Sequence, residues 1–225
     1  MRTYIRTISV TMCVYAMGCS DKKEMTGPTP VQSGPRFFVT SATSVTGNLG
    51  GLSGADARCQ SLASAVGLGG KTWHAYLSVE RDAANGNRPT NARDRIGEGP
   101  WTNVSGVVVA QSLSELHARR GDFTVFIDER GERIPGQWPG TPSPVQHDIL
   151  TGSNQDGTLM AGSTCGDWTS DSASTVAQVG HSDGLGPNGD TSGTLSSWNS
   201  AHANQNCSNT APRGGAGRVY CFAVN

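Results

Sequence analysis

The chain has 225 residues, enough for one domain with a leader and a linker, and it combines 35% hydrophobic residues, 16% charged residues and 30 glycines. This composition favours turns and long loops over helices. The formal net charge is -1 and no run of basic residues exceeds two, so a phosphate-neutralising surface for nucleic acid is not expected.

The N-terminus has the pattern of an export signal. Arg2 and Arg6 precede a mostly apolar stretch, residues 8–17, which is too short to span a bilayer and suits the core of a signal peptide. The stretch ends in Ala16-Met17-Gly18-Cys19, which resembles a bacterial lipobox, although an aliphatic residue is commoner at the position of Ala16. We therefore expect a lipoprotein signal peptide over residues 1–18 and a lipid on Cys19. The alternative is an ordinary secretory signal that is cut nearby.

Residues 19–35 are expected to form a flexible tether, because they contain three prolines and no apolar periodicity. By analogy with known lipoproteins, Ser20 after the cysteine favours the outer membrane or the cell surface over the inner membrane. Residues 36–225 are then expected to form the folded domain.

The domain begins with an apolar, β-branched run at 36–42, which predicts a strand. A helix is predicted to begin at Ser53, because Ser53 and Asp56 form a capping-box pattern. Gly67 provides a C-terminal stop for this helix. Cys59 lies on the apolar face of the helix and is expected to face the core.

The later elements alternate short strands with long polar segments. Strands are predicted at 73–78, within 101–111, at 123–128, at 149–152 and at 218–224, and a capped helix is predicted over 113–119. Two long loops are predicted at 129–147, which holds four prolines, and at 153–209, where Gly, Ser, Thr, Asn and Asp dominate. This order indicates an α+β fold with a mostly antiparallel sheet, and the closing strand is expected inside it.

Four cysteines remain for the domain once Cys13 in the leader and Cys19 are set aside: Cys59, Cys165, Cys207 and Cys221. An even number in an exported chain indicates two disulfides, and three pairings are possible. A zinc site is the weaker alternative, since no two of these cysteines have C-x-x-C spacing.

Five segments of the domain together resemble a known bacterial family. They are FFVTSATSVTGNLGGLSGADARCQSLASAVGL, WHAYLS, ILTGSNQDGT, CGDWTS and RVYCF. They resemble the bacterial C-type lectin-like and endostatin-like domains, which occur in surface proteins and lipoproteins, including endostatin-like outer-membrane proteins of pathogenic spirochaetes. The resemblance covers about residues 37–223. The block GNLGGLSGADARC and the final VYCF are its most specific parts, whereas residues 80–149 match loosely.

The resemblance implies a C-type lectin-like fold: a small antiparallel sheet, two helices and a long loop region held by an inner disulfide. It also implies the nested pairing, in which Cys59 bonds to Cys221 and Cys165 bonds to Cys207. The related spirochaetal proteins imply extracellular-matrix or complement-regulator ligands.

Sugar-binding C-type lectins hold calcium with a Glu-Pro-Asn or Gln-Pro-Asp loop and a Trp-Asn-Asp strand. The corresponding segments here are Gly186-Pro187-Asn188 and Trp198-Asn199-Ser200, and each lacks one ligand residue. Cys165 also precedes both, so this calcium site is disfavoured. A different calcium site could use Asp156, Asp183 or Asp190, although such aspartates are more often turn formers.

Several other residues could either bind a ligand or serve the fold. Trp168, Trp198, Asn188 and Asn199 could contact a ligand, but both tryptophans are also candidates for core packing. The five histidines are His74, His117, His147, His181 and His202, and no two of them have the local spacing of a metal motif. There is no G-x-S-x-G elbow for a hydrolase.

The sequence therefore favours a non-catalytic surface lipoprotein that binds an extracellular protein or carbohydrate through its long loops. It is expected to contact the membrane only through its lipid and not to bind nucleic acid, and calcium is the one cofactor that the residues leave open. The alternatives are a secreted form, a structural matrix protein, and an envelope glycan hydrolase. A hydrolase would need two facing carboxylates, with candidates Glu98, Glu115, Asp128 and Glu129.

Overall fold

The computed structural model describes residues 34–225. The expected signal peptide, the expected lipidation site at Cys19 and the expected tether up to residue 33 lie outside this range. The strands are β1 (Phe37–Val39), β2 (Trp73–Ala75), β3 (Val79–Asp82), β4 (Arg88–Thr90), β5 (Trp101–Thr102), β6 (Val108–Ala110), β7 (Asp148–Leu150), β8 (Gln178–His181), β9 (His202–Ala203) and β10 (Gly215–Ala223). The helices are α1 (Gly51–Ala65), α2 (Leu113–Ala118) and the single turn α3 (Cys165–Trp168). Five short 3₁₀ turns are also present, at Ala83–Asn85, Ala92–Arg95, Pro187–Gly189, Gly193–Ser196 and Pro212–Gly214.

The main sheet is built around β10, the last strand. It has the order β1-β10-β7-β8-β9, and β2 also pairs with β10. The β10–β7 pair is parallel, and the other pairs of this sheet are antiparallel. Strands β3 and β4 form one separate hairpin, and β5 and β6 form another. The structure thus confirms the α+β class and places the closing strand inside the sheet.

The main sheet is buried on both faces, because successive side chains of β10 enter two different apolar clusters. Cys221 and Ala223 belong to one apolar cluster, which includes the buried face of α1. Tyr220 and Phe222 point the other way into a second, aromatic cluster with Phe37 and Trp198. Side chains alternate between the two faces of a strand, so one nine-residue strand supplies both cores.

Two disulfides join the ends of the domain and the long loops. Cys59 of α1 bonds to Cys221 of β10, and Cys165 bonds to Cys207. This is the nested pairing that the family resemblance implies. The outer bond links residues 162 positions apart, so it removes a large loop-closure entropy from the unfolded chain.

Helix α1 begins differently from the sequence prediction. It starts at Gly51, after Gly50 in a left-handed conformation with φ 78°, and no side chain caps it. Asp56 does not complete a capping box. Its carboxylate instead accepts from the Ala75 backbone N–H at 2.8 Å and from Arg95 at 2.6 Å, which ties the helix to β2.

The segment 123–128 is not the regular strand that its alternation predicted. The backbone N–H groups of Val125 and Phe126 both donate to the Asp122 carbonyl, at 2.9 and 2.8 Å, which makes a turn. Ile127 and Asp128 form only isolated bridges. Phe126 is buried in the aromatic cluster, so tertiary packing accounts for the apolar pattern without a strand.

The second predicted helix has the expected cap. The Ser112 hydroxyl accepts from the Glu115 backbone N–H at 3.2 Å, and the Glu115 carboxylate accepts from the Gln111 N–H at 3.0 Å. Within residues 34–225, no helix is long and apolar enough to cross a bilayer.

Candidate metal centre

Three neighbouring strands bring a cluster of histidines and one aspartate together. Asp148 begins β7 and lies opposite His181, the last residue of β8, in the antiparallel register. Val179 lies opposite His202, the first strand residue of β9. Directly opposed residues share a face of the sheet, and so do residues two apart in a strand. Asp148, His181 and His202 therefore project from the same face.

His147 completes the cluster from the residue just before β7. Its Nε2 lies 3.3 Å from Asp148 Oδ1, and His181 Nε2 lies 3.3 Å from the same oxygen. His202 Nε2 lies 3.6 Å from Asp148 Oδ2 and 2.9 Å from His181 Nε2. The rings of His147 and His181 stack, with centroids 4.4 Å apart. His147, Asp148 and His181 thus form a group of possible metal ligands whose atoms lie within 4.8 Å of one another, and His202 adjoins this group through His181 and Asp148.

The Nδ1 atom of each histidine is engaged on the other side of its ring. His147 Nδ1 lies 2.7 Å from Asp183 Oδ1, His181 Nδ1 lies 2.8 Å from the Leu195 carbonyl, and His202 Nδ1 lies 2.9 Å from the Ala203 carbonyl. Each of these oxygens can only accept, so each Nδ1 carries the proton and donates it. In the neutral histidines, the three Nε2 atoms then present lone pairs to one another and to Asp148.

Asp148 has an unusual environment for a carboxylate. Its side chain is 1% exposed, and neither oxygen has a hydrogen-bond donor among the described residues. A buried, ionised carboxylate without a donor is costly, and two facing nitrogen lone pairs at 2.9 Å repel each other. The cluster therefore requires a positive charge at its centre, which a metal ion or a shared proton can supply.

Part of the ligand spacing matches that of a tetrahedral zinc ion. Zn–N and Zn–O bonds of about 2.0–2.1 Å place neighbouring ligand atoms about 3.3 Å apart at tetrahedral angles. Asp148 Oδ1 lies 3.3 Å from both His147 Nε2 and His181 Nε2, whereas the contacts of His202 Nε2 with His181 Nε2 and with Asp148 Oδ2 are 2.9 and 3.6 Å. The hydrogen bonds from Nδ1 to a carboxylate or a carbonyl are those that orient histidine ligands in metal sites.

His181 of the cluster and Asp183, which accepts from His147, both have shifted pKa values. Burial alone would lower the pKa of His181, but the proximity and charge of Asp148 outweigh it and raise that pKa above its usual value. Burial would raise the pKa of Asp183. The hydrogen bond and charge of His147, together with the backbone N–H groups of Gln137 and Leu185, instead hold it below its usual value.

The cluster forms the floor of a cavity of about 320 Å³. His202 is the most accessible member, with its side chain 29% exposed, whereas the side chains of His147, Asp148 and His181 are nearly inaccessible. The other lining residues are Gln137, Pro187, Leu195 and Arg213. The partly exposed His202 therefore connects the buried group to the cavity.

Most ligand-binding candidates from the sequence lie elsewhere or are buried. Trp168 and Trp198 are 0% exposed and Asn199 is 1% exposed, so these three do not offer a surface to a ligand. The Trp168 indole donates to the Ser78 carbonyl and the Trp198 indole to the Leu116 carbonyl, which are core roles. Asn188 is exposed in the 3₁₀ turn Pro187–Gly189, next to Pro187, which lines the cavity.

The three calcium candidates have separate local roles. Asp156 accepts from Thr158 and Asp190 accepts from Ser192, each across two residues, as turn-forming aspartates do. Asp183 is buried and accepts from His147. Among residues 34–225, these aspartates do not form a shared group of metal ligands.

The carboxylates considered for hydrolysis also serve the fold. Glu115 caps α2, Asp128 accepts from the backbone of its own turn at Arg130 and Glu132, and Glu129 accepts from Ser41. Glu98 is exposed.

The histidine–aspartate cluster could not be found from the sequence because its members are far apart in the chain. His147 and Asp148 are adjacent, but His181 and His202 each come from a further strand. Local motifs such as H-x-H detect ligands on one element, whereas this set depends on the register of three strands. The His147-Asp148 pair directly before an apolar run was the one local sign.

No family model matches this sequence, and no curated protein shows significant similarity to it.

Proposed function

We propose that this protein is a metal-dependent binding domain, in which His147, Asp148, His181 and His202 hold one divalent transition-metal ion. The observation that carries the proposal is the unsatisfied centre of the cluster. Three Nε2 lone pairs, fixed by their Nδ1 hydrogen bonds, meet a buried carboxylate that has no donor. A bound dication would satisfy all four groups at once.

Zinc is the ion that best suits these ligands. Imidazole nitrogen with one carboxylate is a common zinc donor set, whereas calcium takes six to eight oxygen ligands. The proposed ion therefore differs from the calcium that the sequence left open, and it binds at different residues.

Binding is favoured over catalysis because His202 adjoins the three-residue group and could supply a fourth protein ligand. Hydrolytic zinc sites usually have three protein ligands and leave the fourth position to water, whereas closed sites have four. The metal would then lock β7, β8 and β9 together and shape the cavity above them, without activating a water molecule.

The wider setting is proposed from the sequence together with the fold. A domain of the C-type lectin-like kind, exported and anchored through Cys19 at the outer membrane or cell surface, would present the loops of residues 153–215 to an extracellular ligand. The nested disulfides and the pairing of the first and last strands support this arrangement. Labelling of expressing bacteria with a radioactive fatty acid tests the anchor, since Cys19→Ala should abolish the label.

The metal proposal is tested with the full-length chain, purified and stripped with a chelator. Calorimetric titration should show one zinc ion per chain with sub-micromolar affinity, and calcium should show no comparable binding. His202→Ala should weaken zinc binding at least 100-fold, whereas His74→Ala should not, because His74 lies outside the cluster and bonds the Arg95 carbonyl. Absence of zinc binding, or equal loss in both variants, would refute the site.

A further inference from the structure

The cavity above the cluster has a polar side and an apolar side. Arg213 and Gln137 contribute a guanidinium and an amide, while Pro187 and Leu195 contribute apolar surface. Its volume of about 320 Å³ lies at the lower end of the range of about 300–1,000 Å³ for ligand pockets. A cavity of this size suits a small molecule or the end of a polymer chain, and it is too small for the broad surface of a folded protein.

Arg213 lines this cavity, and its guanidinium is not paired with a carboxylate of residues 34–225. Its guanidinium donates to the Ala203 carbonyl at 3.3 Å, the same carbonyl that orients His202, and it forms no ion pair with any residue of 34–225. Its backbone has φ 67°, which is strained for a residue with a side chain. Thr210, three residues earlier, donates its backbone N–H to the Val45 carbonyl at 2.9 Å, which anchors the start of this turn.

The charge beneath the cavity depends on the metal. Asp148 and Asp183 place two carboxylates at or behind its floor, and both are buried. These charges oppose an anion in the cavity, whereas a dication on the cluster offsets them. Arg213 and the metal ion would then both attract an anion, and the metal ion would offset the repulsion of that anion by the two aspartates.

We propose that this cavity binds the C-terminal carboxylate of a peptide whose last residue is apolar, and that binding requires the metal. The inference rests on the proposed metal site and names the ligand class for it. Arg213 is well suited to pair with the carboxylate, since the guanidinium fork matches its two oxygens. The Gln137 amide adds a donor, and Pro187 and Leu195 contact the terminal side chain. Capture of a chain end by such groups is a known mode of peptide recognition.

The experiment compares matched probes on the zinc-loaded full-length protein. N-acetyl-Ala-Leu carries the carboxylate, its C-terminal amide lacks the charge, and D-glucuronate offers a carboxylate on a sugar. The free acid should bind at least 10-fold more tightly than the amide and than glucuronate. Arg213→Gln, loaded with zinc to saturation, should bind the acid at least 10-fold more weakly. Arg81→Gln, a change at an arginine that is 80% exposed and outside this cavity, should leave binding of the acid unchanged.

The outcomes separate this inference from the metal proposal. Zinc binding without binding of the acid refutes the inference and leaves the metal site standing. Tighter binding of glucuronate than of the peptide acid refutes the peptide assignment, and equal binding of the acid to metal-free protein refutes the coupling to the metal. Failure to bind zinc refutes both proposals.

Discussion

Replacing Asp148 by asparagine distinguishes a metal centre from a cluster held together by protons. In the metal-free protein, Asp148 is a buried carboxylic group to which no residue of 34–225 donates a hydrogen bond. Asparagine is neutral, and its amide can donate to the facing Nε2 lone pairs. Relief of one buried unsatisfied group is worth about 1–3 kcal/mol, so the metal-free variant should be more stable than the wild type.

Although Asp148→Asn should stabilise the metal-free protein, it should reduce the stabilisation that zinc provides. A ligand at 1,000 times its Kd stabilises the folded state by about 4 kcal/mol. For a domain of this size each kcal/mol shifts Tm by about 2–4 °C, so zinc should raise the wild-type Tm by about 8–16 °C. Asp148→Asn should lose most of this rise.

Differential scanning calorimetry of both proteins at pH 8, with zinc and with chelator, measures the two effects. Asp190→Asn is the matched control, because Asp190 is exposed and accepts only from Ser192 nearby. The reasoning fails if Asp148→Asn lowers the stability of the metal-free protein, since Asp148 would then be paired with a protonated histidine. It also fails if the variant keeps the full zinc-induced rise in Tm.

Three further outcomes are expected. Zinc affinity should fall about 100-fold or more between pH 7.5 and 5.5 in calorimetric titrations, because protons compete for the histidine ligands and the raised pKa of His181 starts this competition at higher pH. Replacing Cys59 and Cys221 together by alanine should cost about 5 kcal/mol in urea unfolding, from the 162-residue separation that the bond spans. Gly180→Ala should strongly lower the yield of folded protein, because a Cβ there would lie 1.9 Å from the Trp198 carbonyl oxygen; a variant with wild-type Tm would contradict this.

The elements that could be predicted from sequence are those specified by local signals. The capping box at Ser112 and Glu115 identified α2, and the alternation of 218–224 identified the strand that feeds both cores. The segment 123–128 shows the limit of such patterns. Its alternation of apolar residues is as regular as that of β10, yet its backbone turns at Asp122. Periodicity reports which side chains are buried, and only the tertiary pairing decides whether a strand buries them.

The residues of the candidate site were even harder to predict from local sequence patterns than the strands were. Trp168 and Trp198 were legitimate ligand candidates because aromatic residues are used in recognition, but both lie wholly within the core. His147, His181 and His202 had no shared local signature. Their convergence arises from the pairing of Asp148 with His181 and of Val179 with His202, which are contacts across 33 and 23 residues. Such register cannot be read from composition or spacing.

The position of the cluster also explains how a region so poor in apolar residues can hold a defined shape. Strands β8 and β9 are short, and the connections around them are rich in Gly, Ser, Thr and Asn, which pack weakly. The Cys165–Cys207 disulfide ties one end of this region. A metal ion on Asp148, His181 and His202 would tie the other end, across all three strands. Loss of the metal should therefore loosen β8, β9 and the cavity wall while the core around β10 stays folded, a difference that hydrogen exchange resolves strand by strand. Uniform loosening of the whole domain would show instead that the ion supports the global fold.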